Sequence, residues 1–170
     1  MSIPPRRSPF LLLTSLLLGL LLIAFFTGCE KKNGTDKIPE ISLLTYQTKP
    51  FTFGPKDTAV TLVVFWATWC RPCLMEIPDL VRLQDLYGKR GFRVVGINID
   101  DPEGSVAIPI AMKLGVNYPI LIGDQETETA FGGLRALPTS FLVGRDGRIK
   151  QRLEGLYPPE KVEQLVLEQL

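Results

Sequence analysis

Two cysteines three positions apart, Cys70 and Cys73, are the side chains of this chain best suited to chemistry. They stand in Trp69-Cys70-Arg71-Pro72-Cys73, directly after the apolar run Thr61–Trp66. Pro72 has no amide hydrogen to satisfy and a φ preset near the helical value, so it suits the first turn of a helix with Cys70 near the N-cap. Unpaired amides and the positive end of the helix dipole favour a thiolate there, and Arg71 adds positive charge; a thiol pKa of about 8.5 falls by one or more units in such settings. Cys70 is therefore the expected nucleophile. Cys73 lies close enough to close a disulfide, is expected to point inward, and takes the role of resolving thiol. Arg71 and Pro72 would tune the couple, because stabilising the thiolate stabilises the reduced form and makes the pair more oxidising.

Half of a zinc site has the same Cys-x-x-Cys spacing. The chain has three cysteines and no histidine, so no second pair exists to complete a tetrahedral site, and dithiol chemistry without a metal is the reading adopted. Glu76, three residues after Cys73, has two readings. A partly buried carboxylate would have a raised pKa and could take the proton of Cys73 during resolution; alternatively it is an acid complementing the helix dipole. Trp69 is either an exposed apolar platform for docking a partner or a turn residue packed on the helix.

The elements that must hold these groups follow from hydrophobic pattern. Thr61–Trp66 reads as a strand covered on both faces. Leu74, Ile77, Leu80, Val81, Leu83 and Leu86 recur at helical spacing up to Gly88 or Gly91, with Pro78 expected to bend the helix. Phe92–Ile99 is a second buried strand, and strand, helix, strand in this order implies a right-handed crossover and a parallel pair. Asp100–Gly104 reads as a turn, Ser105–Leu114 as a helix weakened by Pro109 in its interior, Tyr118–Ile122 as a strand and Glu126–Phe131 as a short helix. Thr139–Val143 and Ile149–Leu153 flank an Asp146-Gly147 hairpin turn, and a closing helix is expected from Pro159 to Leu170. Ahead of the core, Ile41–Tyr46 and Pro50–Phe53 suit a hairpin laid on the sheet edge.

Phe65-Trp66-Ala67-Thr68-Trp69-Cys70-Arg71-Pro72-Cys73 resembles the thioredoxin superfamily, and Glu76-Ile77-Pro78 after it resembles the TlpA/ResA branch of membrane-anchored thiol–disulfide oxidoreductases. The resemblance runs from about Ile41 to Leu170. It implies an α/β, thioredoxin-like fold, with a central mixed β-sheet flanked by helices and an N-terminal β-hairpin extension. It also implies a cis-proline facing the disulfide, at Leu137-Pro138-Thr139, where the backbone of Leu137 would be free to pair with an extended substrate segment. Thioredoxins proper carry a buried Asp at the position of Val64 here, and Glu76 resembles the replacement used in the ResA-like branch. The implied activity is reduction of extracytoplasmic protein disulfides, often those of apocytochromes before haem attachment, recharged by a membrane electron donor and needing no bound cofactor.

The N-terminal segment carries the location. Arg6 and Arg7 precede an uncharged apolar run from Phe10 to Thr27, followed by Gly28-Cys29, a pattern of export signals. Residues 1–28 are expected to be a signal peptide. Phe26-Thr27-Gly28-Cys29 resembles a bacterial lipoprotein box, in which Cys29 would carry the lipid; the alternative is an uncleaved transmembrane anchor. Residues 29–37 would be a polar tether and 38–170 the domain, held on the bacterial cell envelope outside the cytoplasm, where disulfides persist. The formal net charge of the whole chain is only +1, so no nucleic-acid-binding surface is expected. Two other functions share the fold. Peroxiredoxins set their peroxidatic cysteine in a Pro-x-x-x-Thr-x-x-Cys word that is missing here, and copper chaperones of related fold add a distal histidine.

Overall fold

The computed structural model describes residues 37–170. The expected signal peptide, Cys29 and all of the tether but Lys37 lie outside the described residues. Among the described residues, no helix is long and apolar enough to cross a membrane.

The middle strand is β3, Val60–Trp66, buried along its whole length. Its alternation divides the core. Val60, Leu62 and Val64 face one layer with Leu80 and Leu83 of helix α1 (Arg71–Tyr87) and Val162 and Val166 of helix α4 (Pro159–Leu167). Val63 and Phe65 face the other layer with Phe131 and Phe141, whose rings both meet that of Phe65 edge-on and tilt against each other. Each fully buried Leu or Phe in these layers contributes about 1.5–3 kcal/mol through area removed from water.

Strand β4 (Phe92–Asn98) pairs parallel with β3, Trp66 opposite Asn98, and β5 (Ile120–Ile122) pairs parallel with β4. On the other side β6 (Thr139–Val143) and β7 (Ile149–Glu154) continue antiparallel, giving the order β5-β4-β3-β6-β7. The antiparallel step sets Phe65 opposite Thr139, so the end of β3, which leads into Cys70, lies beside the start of β6, which follows Pro138. The hairpin β1 (Ile41–Leu44) and β2 (Pro50–Phe53) forms its own two-stranded sheet. It sinks Ile41 and Phe53 into the second layer and meets edge strand β5 through a single Thr45–Leu121 bridge.

Several boundaries differ from the sequence reading. Helix α2 covers only Ala107–Lys113, because the Asp101 carboxylate accepts the amides of Val106 and Ala107 at 2.8 and 2.7 Å and so fixes where the helix begins. Pro109 therefore falls in the first turn, where its missing amide costs nothing, and not in the helix interior. Helix α3 (Gln125–Ala130) begins one residue early, with the Asp124 side chain accepting from the Thr127 amide. Strand β5 starts only after Pro119, which cannot donate to a ladder. Helix α1 continues past Pro78 as one run to Tyr87 and ends at Gly88, where the sequence placed its end.

Candidate active site

Cys70 is the N-cap residue of α1, and Pro72 occupies the first turn. Cys70 and Cys73 form a disulfide, and the Cys73 amide donates to Cys70 Sγ at 3.3 Å. In the reduced protein that amide would point at the same sulfur, and the first turn of α1 holds no acid to oppose a thiolate. The two residues are less different in exposure than an outer and an inner thiol suggest: Cys70 is 3% exposed and Cys73 2%. What separates them is the helix end. Cys70 caps it and faces its free amides, whereas Cys73 is already inside.

Around the disulfide the structure gathers Trp66, Ala67, Ala107 and the side chain of Leu137 in one apolar cluster. The Leu137–Pro138 peptide bond is cis, and Pro138 is buried beside the start of β6. Trp69 stands out from this cluster at 71% exposed, with Met75 exposed on the first turns of α1. Arg71 is exposed as well. Trp66, by contrast, is core.

Glu76 is buried in α1, 6% exposed, one turn beyond Cys73. Burial, and after it the charge of Asp79, pushes its carboxyl up to about 7. Its Oε2 has no hydrogen-bond partner among the described residues. The acid is thus balanced between its two protonation states near neutrality, a condition for exchanging a proton at physiological pH. Tyr118 lies within electrostatic reach; its phenol is held protonated by burial first and by Glu76 second.

Sequence reading missed the brace behind the redox turn. Thr68, two residues before Cys70, donates its amide and hydroxyl to the two oxygens of the Asp100 carboxylate at 2.9 and 2.6 Å. Asp100 is held by the Asn98 side chain amide at 2.9 Å. Asn98, 1% exposed, in turn accepts from the Asp100 and Asp101 amides and from the Tyr46 hydroxyl, which ties in the segment after β1. Burial, and then Asp101 and Asp100, raise the Tyr46 phenol well above its ordinary range and keep it a donor. The signal was present in the polar word Asn98-Ile99-Asp100-Asp101 at the end of a buried strand, since parallel pairing of β3 and β4 must bring it beside the turn after Trp66. Asp100→Ala is expected to destabilise the oxidised protein by about 1 kcal/mol in urea unfolding, and Thr68→Val by less, because the backbone amide keeps its acceptor.

Residues 35–152 match the AhpC/TSA family. The chain belongs to that family. Within it, the ResA thiol–disulfide oxidoreductase of Geobacillus thermodenitrificans is 28% identical over 159 residues, covering 93% of this chain and 91% of the relative. The Bacillus subtilis ResA is 27% identical over 134 residues, covering 78% and 73%. A thiol:disulfide interchange protein of the thioredoxin family from Chlorobium tepidum superposes with a TM-score of 0.73 at 29% identity, over 79% of this chain and 96% of that one. StoA of Bacillus subtilis shares the fold at a TM-score of 0.63 and 21% identity, over 75% of this chain and 96% of that one. This AhpC/TSA protein is accordingly a thioredoxin-fold thiol–disulfide oxidoreductase whose redox pair is Cys70 and Cys73.

Proposed function

We propose that this oxidoreductase works outside the cytoplasm of a bacterium, held at a membrane by its N-terminal segment, and reduces disulfides of protein substrates, those of apocytochromes among them. The observation that carries the exchange chemistry is the disulfide at the N-cap of α1 with Glu76 buried one turn behind it, its carboxyl raised by burial to about 7. The similarity to ResA proteins supports the substrate class, and the order Arg6-Arg7, apolar run, Cys29 supports the tether, by lipid on Cys29 or by an uncleaved anchor.

In the reduced enzyme, the Cys70 thiolate attacks one sulfur of the substrate disulfide; a new S–S bond forms and the other substrate sulfur leaves as a thiolate. Trp69 offers the partner an apolar surface, and the backbone of Leu137, ahead of Pro138, offers it a strand edge. The Cys73 thiol then passes its proton to the Glu76 carboxylate and attacks Cys70 Sγ, which closes the internal disulfide and frees the second substrate thiol. Two electrons have moved to the substrate, and a membrane donor protein returns them to Cys70 and Cys73. Arg71 and Pro72 bias this exchange through the stability of the Cys70 thiolate.

The expected result with dithiothreitol as donor is catalytic reduction of insulin disulfides, without stoichiometric copper or zinc binding by the reduced protein and without hydrogen peroxide consumption. Tight metal binding without turnover would instead favour a metal chaperone, and peroxide turnover a peroxidase.

A further inference from the structure

Glu76 does not face an unbroken wall. It lines a crevice between α1 and α4 together with Asp79, Leu80, Leu83, Tyr157 and Val162. The crevice holds about 10 Å³, the order of one water molecule. Glu76 lines it with a carboxyl whose Oε2 has no hydrogen-bond partner among the described residues. At the same crevice sits Asp79, half-buried and one helical turn from Glu76, so that the two side chains are neighbours on one face of α1.

The groups facing this pair can be named from each element. Tyr157, in the segment leading into α4, lines the crevice, and Tyr118, just before β5, approaches Glu76 from the sheet side. Arg82, a further turn along α1, feels the Asp79 charge but is engaged by Glu163 of α4 at 2.9 Å, and Glu163 also accepts from Tyr87. The nearest charge acting on Glu76 is therefore negative, and the cation beyond it is already paired.

We infer that Asp79 is a positioning residue for the proton step of resolution: its carboxylate, one turn from Glu76 at the same crevice, makes the Glu76 carboxylate a stronger acceptor for the Cys73 proton. The inference rests on the reading of Glu76 as that base. A like charge one turn away makes ionisation of Glu76 harder, which strengthens it as a base once ionised. Asp79 stands six residues beyond Cys73 along α1, with Glu76 midway between them, so its effect on the chemistry passes through Glu76.

The test uses the full chain with Glu76 labelled at its carboxyl carbon. Asp79→Asn is expected to lower the titration midpoint of Glu76 in the oxidised protein by roughly half a unit to one unit, and Asp79→Lys by about twice as much. Asp79→Glu is expected to leave it in place. The acid limb of the rate of mixed-disulfide resolution, followed in a single turnover, should move by the same amounts in the same direction. A Glu76 midpoint that stays put in Asp79→Asn and Asp79→Lys would overturn the inference. The base reading fails separately: if the acid limb survives in Glu76→Gln, Glu76 is not the base, even where the carbon titration shows that Asp79 acts on it.

Discussion

Cys73→Ala is expected to convert the enzyme into a covalent trap. Incubated in reduced form with a disulfide-bearing protein, the variant should accumulate a stoichiometric mixed disulfide through Cys70, visible on non-reducing gels and by intact mass, and should show no multiple turnover. Cys70→Ala should yield no such adduct under the same conditions. The assignment does not come from exposure, since both side chains are almost fully covered in the disulfide form. It comes from the helix end. The N-cap sulfur receives the Cys73 amide at 3.3 Å and faces the free first-turn amides, with Arg71 beside it, so its thiolate is favoured over that of Cys73. Once Cys70 has attacked, only a thiol within bonding reach of its Sγ can release the substrate, and Cys73 is that thiol. Removing it leaves the mixed disulfide with no internal route out. An adduct formed by Cys70→Ala and not by Cys73→Ala would reverse the two roles. The trapped partner would also identify the substrate, which makes the variant a probe of the apocytochrome proposal.

The parts of this site that were legible in the sequence are local ones. Thr61–Trp66 is apolar at every step but its first, which demands cover on both faces, and it lies in the middle of the sheet. Pro72 two residues after Cys70 marks a helix start, and Cys70 caps the helix. Strand, helix, strand predicts a parallel pair, and β3 and β4 are parallel. The parts that were not legible depend on side chains distant in the chain. Thr68 and Asp100 are separated by thirty-two positions, and nothing in the word around Thr68 indicates that its amide needs a carboxylate. The helix expected from Ser105 starts only at Ala107, because Asp101 reaches forward from the turn to accept the amides of Val106 and Ala107. The near-equal burial of the two cysteines was hidden as well, since it is produced by Leu137 and Ala107 packing in from other parts of the chain. Glu76 is intermediate: its spacing from Cys73 put it on a neighbouring helix face, but only the packing of α1 against the rest of the molecule shows that its carboxyl is buried.

Glu76→Gln is expected to slow resolution and, above neutral pH, to stabilise the protein. The sign follows from the direction of the shift. A glutamate with an unfolded value of 4.5 and a folded value of about 7 binds its proton more tightly when folded. The folded state is therefore favoured most below pH 4.5, loses that advantage as pH rises, and above about 7 carries the full cost of a buried carboxylate whose Oε2 has no partner among the described residues. A shift of this size corresponds to about 3 kcal/mol at most. Gln keeps the shape and has no charge to bury, so Glu76→Gln should match the wild type in urea unfolding at pH 4 and exceed it by a few kcal/mol at pH 8. Parallel stability curves across that range would show that the carboxyl is not under this stress. The kinetic effect runs the other way. Without a base one turn from Cys73, release of the mixed disulfide at neutral pH should slow by about a hundredfold or more, the usual worth of a positioned general base, and its acid limb should vanish. A side chain that weakens the fold at working pH and is isosteric with one that would not is hard to explain by packing or by the helix dipole, because either role would be served at least as well by a carboxylate reaching solvent. Proton exchange with Cys73 accounts for both its burial and its cost, since the burial that destabilises the ionised form is what brings its titration near neutrality, where a thiol proton can be taken and returned.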